Sequence, residues 1–190
     1  MTRKLLTVLL LASVAVLLAG FAMAEGKDAE GYSYIGLKKC TMCHKSAKIG
    51  DQLGVWQEGP HAGAFADLSS EAGLAKAKEL GVEDPATNDA CLKCHTTGHG
   101  AAGNEALLAE NGVSCEACHG PGSGYKSKKT MAGIAAGEID GATVGLIEPI
   151  KEVCLSCHVA DNPGHKGEFD YEAAVKKIAH PIPDTAAVDD

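Results

Sequence analysis

The chain has 190 residues with 17 Lys+Arg against 25 Asp+Glu, and its formal net charge of −8 argues against nucleic acid or an anionic lipid surface as a partner. Aromatic residues make up only 4% of it and Gly numbers 23, so side chains alone would fill a poor interior at this length. A bulky apolar group from outside the sequence is needed to complete the core.

In chain order, Arg3 and Lys4 form a short basic start. Leu5 to Leu18 is an apolar run too short for a comfortable membrane span, and Ala22-Met23-Ala24 has the small-x-small form of a cleavage site. Residues 1–24 therefore read as a cleaved secretory signal peptide, 25–184 as one domain and 185–190 as a frayed acidic tail. Export would place the mature chain in the periplasm, with an extracellular destination also open. Loss of Arg3 and Lys4 takes the net charge from −8 to about −10.

Beyond the leader, Cys-x-x-Cys-His occurs four times, as Cys40/Cys43/His44, Cys91/Cys94/His95, Cys115/Cys118/His119 and Cys154/Cys157/His158, and it uses every cysteine. Thiols at i and i+3 of a helical turn face the same way and reach one porphyrin edge, while the adjacent histidine supplies the first axial ligand. This is the attachment site of a c-type haem. A single Cys-x-x-Cys would also suit half a zinc site or a thiol redox pair. A trailing histidine at all four, with no cysteine left over, favours four covalently bound haem c groups, whose macrocycles supply the missing apolar volume.

The motifs begin at 40, 91, 115 and 154, so they form no fixed structural period. Each is expected on a helical turn. A helix is expected over residues 71–80, with Ser69 or Ser70 as N-cap and Gly81 as stop, and another over Glu105 to Glu110 between Asn104 and Asn111-Gly112. Gly120 to Lys129 and Asn162 to Gly167 read as loops, and some glycines are expected to let backbone approach the macrocycles. Asp170 caps a helix from Tyr171 to Ala179, which Pro181 and Pro183 prevent from continuing. No segment alternates with period 2. The fold class is mainly α with extensive loops, a compact haem-cored single domain.

The four remaining histidines, His61, His99, His165 and His180, match the number of open axial positions. Met1 and Met23 leave with the leader and Met42 lies inside the first motif, so Met131 is the one credible thioether alternative. His61 lies at the expected start of a helix and His180 at the end of one, settings from which an imidazole can project. His99 follows His95 by four residues and as a ligand must serve a neighbouring haem. His165, between Gly164 and Lys166, is open to ligation or simple exposure. Two imidazoles leave an iron no vacant site and suit outer-sphere electron transfer.

Several strings resemble a known family. Lys38-Lys39-Cys40-x-x-Cys43-His44-Lys45, Trp56 with His61, Gly112-Val113-x-Cys115-Glu116-x-Cys118-His119-Gly120-Pro121-Gly122, and Phe169-Asp170-Tyr171 leading to His180 are similar to the cytochrome c-554-like family. These are tetrahaem cytochromes related to the electron acceptor of hydroxylamine oxidoreductase. The resemblance covers nearly the whole mature chain. It implies distal-ligand roles for His61 and His180, and haems stacked in close parallel pairs within a helical shell. One departure is plain: the family's distal histidine soon after Gly-Pro-Gly has no counterpart in Ser123 to Lys128. One iron then takes its sixth ligand from His99 or His165, or stays five-coordinate.

The function expected is that of a periplasmic electron carrier rather than an enzyme, exchanging single electrons with redox protein donors and acceptors. Membrane-associated quinol-oxidising or reductase complexes are among the candidate partners. Two other readings stand beside it: a multihaem oxidoreductase acting on a small nitrogen or oxygen species at a five-coordinate haem, and a self-associating subunit of an extracellular cytochrome filament. Lys38/Lys39 and Lys126/Lys128/Lys129 are candidate docking spots, or simply solvated faces.

Overall fold

The computed structural model describes residues 31–101, 112–162 and 168–180. The leader, the expected helix at 105–110, His165, Pro181, Pro183 and the acidic tail lie outside the described residues. Among the described residues the regular elements are all helical. They are α1 Leu37–Thr41, α2 Gln52–Glu58, α3 Ala64–Asp67, α4 Glu71–Glu79, α5 Asp89–His95, α6 Cys115–His119, α7 Lys128–Ala135, α8 Lys151–Cys154 and α9 Tyr171–Ile178. A 3-10 turn at Pro60–Gly63 leads directly into α3, and another spans Gly141–Val144.

Side-chain caps start α4 and α9 where the sequence places them. Ser70 accepts from the Gly73 amide at 3.0 Å and Asp170 from the Ala173 amide at 3.0 Å. Each such cap contributes about 1 kcal/mol. Helix α4 stops before Gly81, whose φ of +70° an L side chain adopts only with strain.

The expected loop from Gly120 to Lys129 needs correction at its end, because α7 already begins at Lys128. Ser127 accepts from the Thr130 amide at 3.0 Å, and this cap, followed by an Ala-containing run, outweighs the local lysine and glycine content.

Among the described residues the buried apolar side chains are Leu68, Ala77 and Tyr125, while Thr96, Thr97, Ser114 and Glu116 are buried and polar. The scaffold is therefore held by hydrogen-bonded clasps more than by a side-chain core. Thr97 donates to the Gly112 carbonyl at 2.8 Å and accepts from the Ser114 amide at 2.8 Å, joining the exit of α5 to the entry of α6. The Trp56 indole donates to the Val113 carbonyl at 2.9 Å, tying α2 to the same entry.

Close backbone approach explains two glycines. A Cβ at Gly124 would lie 2.3 Å from the Val144 carbonyl oxygen, and one at Gly120, where φ is +75°, would lie 2.7 Å from that of Gly145. Both glycines bring backbone against backbone and so hold the Gly-Pro-Gly loop on the 141–145 turn.

Candidate functional site

Helices α5 and α6 carry the second and third motifs whole. The first and fourth motifs begin at the ends of α1 and α8 and continue as one further turn. The His44 amide donates to the Cys40 carbonyl at 3.1 Å, and the His158 amide to that of Cys154 at 2.9 Å. All four motifs thus have the helical-turn form in which both sulfurs face one way.

Thiols of distant motifs lie near enough to influence one another. The interaction of Cys40 with Cys115 raises the Cys40 pKa and lowers that of Cys115. Burial, then the nearby Cys157 thiol, pushes the Cys94 thiol up to about 11. Burial also pushes Cys118 up to about 11, with the neighbouring thiols of Cys154, Cys115 and Cys157 adding to the effect. By these influences the first motif lies near the third, the third near the fourth, and the fourth near the second.

Two of the candidate distal histidines face motif histidines. The His61 and His158 ring centroids are 6.0 Å apart, and those of His119 and His180 are 5.9 Å apart. Imidazoles on opposite sides of one metal, each bonded at ~2 Å with about 1 Å more from nitrogen to ring centre, have centroids about 6 Å apart. Both pairs fit a bis-imidazole iron. His180 Nδ1 is also buried without a hydrogen-bond partner. Such an orphan costs about 1–3 kcal/mol unless a ligand meets it.

Electrostatics favour the metal-binding form of these rings. Burial lowers the pKa of His61 and of His180, where the residue's own backbone opposes the lowering and nearby His44 adds to it. Burial likewise lowers His119, with His180 and His44 adding and a hydrogen bond to the Ile147 backbone opposing. A buried, neutral imidazole keeps a lone pair for iron.

Other residues orient the motif rings. His95 Nδ1 lies 2.5 Å from the Ala64 carbonyl oxygen, and His44 Nδ1 lies 3.3 Å from Gln52 Oε1. The Gln52 amide nitrogen donates to the Ile49 carbonyl, turning Oε1 toward His44. Both partners only accept, so Nδ1 carries the proton and Nε2 is left for iron. Phe169 stacks on His158 with centroids 4.5 Å apart and planes at 14°.

His99 lies at the surface with Nε2 3.2 Å from Asp89 Oδ1, and among the described residues it makes no ring contact with a motif histidine. His165 lies outside the described residues.

Sequence reasoning missed the supporting residues. Gln52, Ala64 and Thr97 carry no motif, and Phe169 and Glu116 appear only within the resembling strings. Its carboxylate, 1% exposed, accepts from the amides of Ile35 at 2.9 Å, Gly36 at 2.8 Å and Gly122 at 2.7 Å. A Glu inside Cys-x-x-Cys directly before a Gly-Pro-Gly turn was the one available signal.

A helical, clasp-held scaffold that gathers Cys-x-x-Cys-His turns and sets imidazoles opposite them is that of a multihaem c-type cytochrome. Residues 39–120 match the family model described as cytochrome c554 and c-prime. The chain is 30% identical over 167 residues to cytochrome c-554 of Nitrosomonas europaea, an alignment covering 80% of this chain and 68% of that protein. Its structure is similar to that of reduced-state cytochrome c554 from the same organism, with a TM-score of 0.53, 26% identity, and coverage of 77% of this chain and 78% of the other. The chain belongs to the cytochrome c554 family. It is a c-type cytochrome, an electron carrier with covalently bound haem c.

Proposed function

We propose that this chain is a periplasmic tetrahaem cytochrome that passes single electrons between redox partners along sites ordered first, third, fourth and second motif. Each bound haem supplies a one-electron Fe(III)/Fe(II) couple. The polypeptide holds these groups in sequence, and the mutual electrostatic influence of Cys40 and Cys115, of Cys118 with Cys154 and Cys157, and of Cys157 and Cys94 supports the order.

His61 and His158 would hold one haem iron between them, and His180 and His119 would hold another. The two centroid separations of 6.0 and 5.9 Å are the observation that carries this reading. Imidazole on both faces leaves the iron no vacant position, which suits a carrier. Hydrogen bonds from Nδ1 of His95 to Ala64 and of His44 to Gln52 strengthen the motif imidazoles as donors to ferric iron. Without thioether ligation, potentials toward the low end of the axial-ligand range are expected. Redox protein donors and acceptors are the partners, and a membrane-linked complex is the candidate donor.

The test is a haem count combined with spin-state analysis on protein from a host competent in haem attachment. Four haems per chain by pyridine haemochrome, with low-spin ferric signals for the third and fourth sites, are expected. A titre well short of four, or cyanide binding at those two sites without displacement of an imidazole, would overturn the proposal.

A further inference from the structure

We propose that the first-motif end of the molecule is the docking surface for an acidic redox protein, an inference that rests on the electron-carrier reading above. Lys38, Lys39, Lys45 and Lys48 are all exposed, and residues 38–48 contain no acidic side chain. None of the four makes an ion pair among the described residues. Between these cations in the chain, Met42 is 66% exposed, and Cys43 is the one exposed cysteine of the eight, the other seven being half-buried. An apolar centre that can be dried, rimmed by unpaired charges, is the anatomy of a protein interface.

The opposite terminus of the relay has the opposite sign. Residues 79–89, leading into the second motif, contain Glu79, Glu83, Asp84 and Asp89 and no cationic side chain, and all four acids are exposed, with Glu79 paired to Lys76 and Asp89 beside His99 while Glu83 and Asp84 have no cationic partner among the described residues. In the order proposed above, the first and second motifs are the two ends of the series. An acidic partner is thus drawn to one end and repelled from the other, although the chain as a whole carries −8. Local fields of this kind raise association rates by 10- to about 1,000-fold and fade as salt shortens the screening length. Docking at the first motif places the partner's cofactor beside the most accessible thioether edge. The exchange moves one electron and no atoms: the partner is oxidised by one electron and the carrier is reduced by one.

The experiment uses the haem-loaded full chain and flavodoxin, an acidic one-electron donor, as the probe. In the reaction the flavin hydroquinone anion becomes the neutral semiquinone and no proton moves. Stopped-flow rates and chemical-shift titrations of labelled oxidised flavodoxin are compared for wild type, K38E/K39E/K45E and a charge-matched control, K78E/K93E/K151E. At low ionic strength the first variant is expected to react about tenfold more slowly or worse and to lose the flavodoxin shifts, with the control within about threefold of wild type. The wild-type rate should fall as salt rises.

Equal slowing in both variants would assign the effect to net charge alone, and a larger effect in the control would place docking elsewhere; either overturns the proposal. So would salt-dependent self-association of wild type abolished by K38E/K39E/K45E, which would assign the patch to a second copy. If K38E/K39E/K45E alters the haem spectrum, the charge-neutral K38Q/K39Q/K45Q replaces it, with the same ordering of rates required. Failure of the carrier reading looks different, because wild type would then fail to accept electrons from flavodoxin or dithionite at all.

Discussion

The Gly36 amide donates to the Glu116 carboxylate at 2.8 Å, so the residue that caps α1 of the first motif is held by a side chain set between the two cysteines of the third. The amides of Ile35 and Gly122 bind the same carboxylate. A carboxylate with this many amide donors acts as a rivet between the two motifs. Glu116→Gln keeps the shape but gives up the charge and turns one acceptor into a donor facing N–H groups. It should cost about 2 kcal/mol, read as a lower denaturation midpoint in guanidinium followed at the Soret band. It should also weaken magnetic coupling between the first and third sites, and Glu116→Asp should restore part of both.

Removal of a distal imidazole should open one iron at a time. His61→Ala and His180→Ala are each expected to convert one low-spin ferric signal to high spin and to create one cyanide-binding site, at different positions in the relay. The double variant should show both changes additively, since the two rings face different motif histidines.

The axial sites should also respond to acid. Burial lowers the pKa of His61, His119 and His180, so these rings are neutral when folded, whereas the unfolded chain takes up protons at the ordinary histidine value of 6.5. Because the unfolded state binds more protons, their contribution is fully present above pH 6.5 and is lost as pH falls through the lowered folded values. A spectroscopic acid titration should show low-spin ligation intact at pH 6.5 and conversion to high spin only below it.

Much of this was legible in the residues. The repeated motif states the cofactor chemistry, and Ser70 and Asp170 announce α4 and α9 because capping is a local interaction that a short string encodes. Which motif adjoins which was not legible. The nearness of Cys40 to Cys115 depends on how the intervening helices pack, and no spacing rule carries that. The pairing of His61 with His158 and of His180 with His119 has the same character. Helix α7 was missed because its lysines and glycine read as a loop until Ser127 is seen capping it.

The clasp at the Gly-Pro-Gly loop should tolerate no side chain. Gly120→Ala meets the Gly145 carbonyl at 2.7 Å and a φ of +75°, so a loss of at least about 1–2 kcal/mol is expected. The Tyr125 hydroxyl, which donates to the Gly120 carbonyl at 2.6 Å, secures the same turn, and Tyr125→Phe should cost about 1 kcal/mol. Thermal unfolding of the haem-loaded variants measures both.

The order of the relay is tested most directly by locating the irons with anomalous scattering from a crystal of the haem-loaded protein. Four irons are expected, with that of the first motif nearest the third's, that of the second nearest the fourth's, and single irons bridging His61 to His158 and His180 to His119. An iron of the first motif lying nearest the second's, or one lying away from the axis between either imidazole pair, would contradict the account.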